Sequence, residues 1–114
     1  MKLPIIFVPF LPAAGMALFP FILVKRIGFK AHKTLVNHEK IHLKQQLELL
    51  IIPFYVLYLL HYLLNLLRYF NHDKAYRNIV FEREAYRNDK NLSYLNSRSL
   101  WAWAPYFSKK YRSD

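Results

Sequence analysis

Residues 38–42, His-Glu-Lys-Ile-His, are the stretch of this 114-residue chain whose side-chain types and spacing can do chemistry. On an α-helix, positions four apart are separated by roughly 40° around the axis and about 6 Å along it, so the imidazoles of His38 and His42 can meet on one divalent metal. Glu39 projects from the next position round, beside the open side of that metal. Two neutral imidazoles and one more protein ligand leave a fourth position on Zn²⁺ for water, whose pKa the ion lowers toward neutrality. A carboxylate beside that water can take its proton and pass it to a leaving group. A helix whose His and Glu are merely solvated or hydrogen-bonded carries the same pattern, so a third ligand is the feature to look for.

The chain has four glutamates, and two of them lie in 81–86, Phe-Glu-Arg-Glu-Ala-Tyr, a segment of helical character. The motif at 38–42 followed by this Glu-bearing helix resembles the gluzincin zinc metallopeptidases, including the membrane-embedded CAAX prenyl protease and heat-shock membrane protease group. The resemblance covers about residues 34–90. It implies Zn²⁺ held by His38, His42 and Glu82, with Glu39 as general base, Ala85 as the small residue three after the ligand, and a peptide or protein substrate. Tyr86 stands where the family usually has an Asp that orients a ligand histidine, and Lys40 and Lys44 stand where the pattern prefers uncharged residues. Glu84 is the alternative ligand if the second helix is out of register by half a turn.

The elements that must position these groups are legible in part. With no Cys, any metal has to use His and carboxylate, and with only two Gly a loop-rich or sheet-rich fold is disfavoured. Hydrophobic residues make up 54% and aromatics 18%, while the net charge is +10. A chain both apolar and basic points to a membrane with anionic headgroups before nucleic acid, and no signature of base readout is present.

Residues 3–24 are uncharged but contain Pro4, Pro9, Pro12, Gly15 and Pro20. That reads as a bent or re-entrant membrane segment rather than a straight span. Basic residues follow, as they do where a segment emerges on the cytoplasmic side. Thr34 is the expected N-cap of a motif helix over 35–52, whose side carrying Leu35, His38, Ile41, His42, Gln45, Glu48 and Leu49 is a polar stripe needing partners. A second uncharged run, 49–67, is interrupted at Pro53. One straight span there separates the histidines from Glu82 by a bilayer, whereas a turn at Pro53 lets a helix over 54–70 return to their level. Six Lys and Arg between 25 and 44 and ten from Arg68 onward favour the same side for both flanks, and so favour the hairpin.

Asp73 is the expected N-cap of a helix over 74–89 that places Ala75, Ile79, Glu82 and Tyr86 on one inward face. An inward carboxylate with no cation is costly, which supports a ligand role for Glu82. Glu84 is expected outside, pairing with Arg83 and Arg87. A further helix is expected over 93–102, ending before Pro105, and Trp101, Trp103, Tyr106 and Phe107 beside a cluster of Lys and Arg read as an interfacial anchor or a packed tail. Tyr94 and Arg98, four apart, share a face suited to an oxyanion. His61 and His72 read as structural, and His32 as a stray metal contact at most.

The expectation is a single all-α domain over 1–114. It is a compact helical bundle with 3–24 as a membrane segment, 34–90 as the metal-binding core and 91–114 as a tail, with the apolar hairpin membrane-embedded and the site on the cytoplasmic side. The competing expectation is a small helical membrane protein that uses its histidines structurally or holds metal without turnover.

Overall fold

The computed structural model describes residues 4–113, and it is mostly helical with a small sheet. The first departure from the all-α expectation is at the N-terminus, where three short strands lie within residues 4–24. β1 (Ile5–Phe7), β2 (Gly15–Leu18) and β3 (Phe21–Val24) make one sheet in the order β1-β3-β2. The prolines that bend a helix here delete the donors it requires, while the β-branched and aromatic residues between them suit a pleated surface. β1 runs parallel to β3 with Ile5 opposite Ile22, and β2 runs antiparallel to it with Gly15 opposite Val24. β2 is thereby an edge strand. Leu3 lies outside the described residues.

Ile22 and Val24 are fully buried and pack with Ala17 against Val36 and Leu43 of α1 (Lys33–Glu48), the motif helix. The opposite side of α1, carrying Asn37, His38, Ile41, His42 and Gln45, is also buried, so the helix is enclosed on two sides. Its N-cap is His32, whose Nδ1 accepts the Leu35 N–H at 3.1 Å, and not Thr34. The cap engages one nitrogen of the His32 ring.

The chain turns at Leu50 and Ile51, both at positive φ (60° and 67°), a conformation that is strained for a β-branched residue. α2 (Ile52–Tyr69) follows, with Pro53 in its first turn, where a missing N–H leaves no bond unmade. The axes of α1 and α2 meet at a bend of 113°, so the expected return from the proline is a sharp corner rather than an antiparallel hairpin. Among the described residues no single helix is long and apolar enough to cross a membrane.

The expected helix over 74–89 is two: α3 (His72–Arg77) and α4 (Val80–Asn88). Asn71, not Asp73, caps α3 by accepting the Lys74 N–H, and Asn78 and Ile79 break the helix. His61 of α2 accepts the Val80 N–H at 3.0 Å, so this histidine caps α4. Phe54, Ile79, Val80 and Phe81 form a second core, and Trp103 and Tyr106 pack onto it. The C-terminal aromatics are therefore largely a packed tail, with Trp101 and Phe107 exposed, and the helix expected over 93–102 shrinks to α5 (Tyr94–Ser97).

Candidate metal centre

The break at Asn78–Ile79 starts α4 just early enough that Glu82 lies in its first turn, facing the buried side of α1. Glu82 Oε1 is 2.9 Å from His38 Nε2 and 3.0 Å from His42 Nε2, and the two Nε2 atoms are 3.2 Å apart. All three residues are buried. The expected ligand set thus converges on one point, from two helices 40 residues apart in sequence.

What these atoms require follows from the other side of each ring. His38 Nδ1 lies 2.9 Å from Asp89 Oδ2, a group that can only accept once ionised, so Nδ1 carries a hydrogen. His42 Nδ1 lies 2.7 Å from Gln45 Oε1. The Gln45 amide is oriented by its Nε2, which donates to Phe81 O and Glu84 Oε1, so its oxygen faces the ring and His42 Nδ1 must donate too. In neutral imidazoles both Nε2 atoms are then lone pairs, directed at each other and at a carboxylate oxygen.

Three acceptors within hydrogen-bond distance and no donor among them repel unless a cation sits there, either protons or a metal. Burial alone would lower the pKa of His38, but its hydrogen bond to Asp89, followed by those to Glu82, raises it to about 10. His42 is opposed by burial and raised in turn by Glu82, and the two rings hold Glu82 well below the usual carboxylate range against its burial. The donor triangle is also within a few tenths of an ångström of the roughly 3.3 Å edge that Zn–N and Zn–O bonds of about 2.0–2.1 Å give a tetrahedron. Its chemistry and its size fit a first-row divalent ion.

The remaining polar groups hold this triangle. Tyr58 donates to Glu82 Oε2 at 2.5 Å, which occupies the second carboxylate oxygen and leaves Oε1 for the ligand position. The Tyr86 ring stands edge-on to His38 at 4.5 Å, and Tyr86 donates to Tyr76. The carboxylate that faces His38 Nδ1 comes three residues after Tyr86, from Asp89. A carboxylate two turns after Glu82, on the same helix face, is the signal in the sequence that identifies it.

Glu84 is not on the outer face with Arg83 and Arg87. It is fully buried, where it accepts from Gln45, Tyr94 and Arg98, while Arg98 also binds Glu48 through two nitrogens. Tyr94 and Arg98 are consequently committed to Glu84 rather than to an oxyanion, and Glu84 is a support of His42 through Gln45 rather than a ligand. Arg83 turns inward to Tyr106 O and Asn78. His72 lies against Tyr62, consistent with a structural role.

Glu39 is buried beside the triangle, and its burial raises its carboxyl pKa even though both neighbouring histidines pull it down. Its Oε2 lies so near β2 that a Cβ on Gly15 would stand 3.3 Å away, with Leu35 Cδ1 at 3.2 Å, so a side chain at position 15 crowds the site. Two cavities meet at Glu39. One of about 310 Å³ is walled by Met16, Phe54, Tyr55 and Tyr58 and reaches His42 and Glu82. The other, about 630 Å³, reaches His38 and Asp89 past His32, Tyr76 and Tyr86. Gly15, Ala13 and Tyr76 border both.

Compared with known family models, curated proteins and solved structures, the chain matches none.

Proposed function

We propose that the chain is a zinc-dependent hydrolase of peptide bonds, with His38, His42 and Glu82 as the metal ligands and Glu39 as the general base and then acid. The observation that carries this reading is three buried lone pairs aimed at one point, next to a further carboxylate, Glu39, that belongs to no ion pair of the triangle and opens onto two cavities. A zinc ion there supplies a Lewis acid for the carbonyl and lowers the pKa of a water. The other roles fall to the chain. Burial lifts the Glu39 carboxyl above its ordinary value against the pull of both histidines, which favours its holding the proton between uptake and return. Asp89 and Gln45 hold the two imidazoles in the tautomer that ligates.

Substrate binding follows from the free edge of the sheet. Lys25 N–H bonds Ala14 O, so by the alternation of an antiparallel ladder Ala14 and Met16 turn their backbone groups toward β3 and Gly15 turns its own outward, beside Glu39. An extended peptide can add to that edge and carry its carbonyl past the base. Ala17 O is already taken by Gln46 and Tyr55, which ends the free edge one pair further on.

Metal content and turnover of a labelled denatured protein such as casein test the reading. Purified chain is expected to hold about one zinc, His42→Ala to lose it, and Glu39→Gln to keep it while turnover falls by roughly 10²–10⁴-fold. Equal, substoichiometric zinc in wild type and His42→Ala removes the centre. Full zinc with turnover unchanged in Glu39→Gln removes the base, and zinc without turnover in wild type leaves a metal site that is not an enzyme.

A further inference from the structure

α2 is built inside out. Of its 18 residues only Phe54 and Asn65 are buried. Val56, Leu59, Leu60, Leu63, Leu64 and Leu67 are each between 45 and 70% exposed. At 100° per residue the exposed positions sweep about 200° of the helix, and Arg68 is the one charged residue on that arc. The apolar surface continues past both ends of the helix, where Leu50 is 80% and Phe70 86% exposed. A contiguous apolar face of this extent marks an interaction site.

We propose that this face of α2 lies lengthwise in one leaflet of an anionic lipid bilayer. Three observations choose lipid over a protein partner. A facing helix covers a stripe about 100° wide, which leaves half of the arc in water, whereas acyl chains cover it all. The exposure runs along the whole helix and beyond both ends, which fits a helix lying in the plane of the interface, and α2 is not long and apolar enough to cross. The third is charge. Glu39, Glu82, Glu84 and Asp89 are buried and the Glu48 side chain is 6% exposed against Arg98, so among the described residues Asp73 is the one exposed acid, on a chain with 17 Lys and Arg. The acidic residues are spent inside and the surface is left cationic, complementary to anionic headgroups.

The surface goes beyond the metal-centre reading and stands without it. It also has a consequence for the cleft. Phe54 and Tyr58, on the opposite side of α2 from the arc, wall the cavity beside Glu39. The cleft is therefore held about one helix diameter, roughly 10–12 Å, from the lipid, within reach of chains tethered to the same membrane.

The test is flotation of the full chain, diluted from detergent, with vesicles of phosphatidylcholine alone or with 30% phosphatidylglycerol, alongside the triple variant Leu59→Glu/Leu63→Glu/Leu67→Glu. Wild type is expected to float with the anionic vesicles, less with the neutral ones, and the variant to partition at least tenfold more weakly while retaining the helical circular dichroism of wild type. Because the chain has no cysteine, single labels can be placed at Leu63→Cys and Lys44→Cys. On vesicles, a nitroxide at 63 should be open to oxygen and shielded from aqueous nickel, and one at 44 the reverse, a reading that holds even if the triple variant misfolds. Wild type that stays with the buffer, a folded variant that floats equally well, or a label at 63 open to nickel overturns the proposal. A dimer that the triple substitution dissociates, with no flotation, overturns it in favour of a second copy of the chain.

Discussion

α1 and α2 are consecutive helices of similar length with opposite environments. α1 has a polar sequence and a buried location: Asn37, His38, Glu39, His42, Gln45 and Gln46 are all interior. α2 has an apolar sequence and an exposed location. The usual rule that apolar residues go inside is inverted in both, and the corner at Leu50 and Ile51 is where the inversion changes sign. The two inversions teach different things. Buried polar groups take hydrogen-bond partners, and most of those in α1 find them in α4 and the segment after it, through Glu82, Glu84, Asp89 and Arg98, while Gln46 bonds Ala17 O and the Phe19 N–H. The apolar face of α2 has no such partner among the described residues, and the proposed lipid contact is what would supply one.

The comparison breaks most severely where one residue holds the polar interior together. Arg98 is the counter-charge for both Glu48 and Glu84, with side-chain exposure of 4%. Arg98→Ala leaves two carboxylates without it, and the expected loss is about 3–5 kcal/mol in chemical denaturation, with His42 losing its support through Gln45. If the midpoint does not move, the network is ornamental and the polar interior is tolerant.

A gentler break is Asp89→Asn, which keeps the shape and removes the charge behind His38. Zinc affinity by competition with a chromophoric chelator should weaken by roughly 10–100-fold with little change in helicity. An unaltered affinity would show that Asp89 does not orient the ring.

The protonation of the triangle sharpens the same contrast. The pKa of His38 in the metal-free fold is raised to about 10 from 6.5, so its contribution to stability is present in full below about pH 6.5 and is lost as pH rises toward 10. A metal must displace that proton, so zinc binding runs the other way, strengthening by up to about tenfold per pH unit across the same window. Metal-free and zinc-loaded protein followed by thermal melts from pH 6 to 9 should diverge as pH rises. Parallel curves would mean that proton and metal do not compete for one place.

The smallest expected effect is on the other helix. Leu59→Glu, at a position 55% exposed, should change the stability of the chain in buffer by no more than about 0.5 kcal/mol, where a polar-to-apolar change in the interior of α1 is severe. A loss of several kcal/mol would place Leu59 in a protein contact and end the inside-out description of α2.

How much was legible depended on whether the signal was local. His38, Glu39 and His42 follow from helical spacing and Glu82 from its inward face, because both arguments need only the geometry of one helix; its pairing with the histidines was only what the resemblance implied. The strands at residues 5–24 were missed because the same prolines bend a helix or separate short strands, and only packing on Val36 and Leu43 decides between them. The division of 72–88 into α3 and α4 was missed because nothing in local propensity forbids one helix there. Asn78 and Ile79 break it through long-range contacts, Asn78 with Ser113 and Val80 with His61.

The order of residues along the chain was therefore enough to state which groups can ligate a metal and which helices carry them, since spacing at 3.6 residues per turn is a property of the backbone. What completes the site belongs to tertiary structure: α4 set against α1 so that Asp89 meets the His38 ring, Phe81 and Glu84 orienting the Gln45 amide behind His42, and Glu39 against Gly15. The tautomer of a ring depends on what stands within 3 Å of its far nitrogen. Gln45 is one turn from His42 and Asp89 two turns from Glu82, but the atom each presents to its ring is set by contacts between helices that no sequence period encodes.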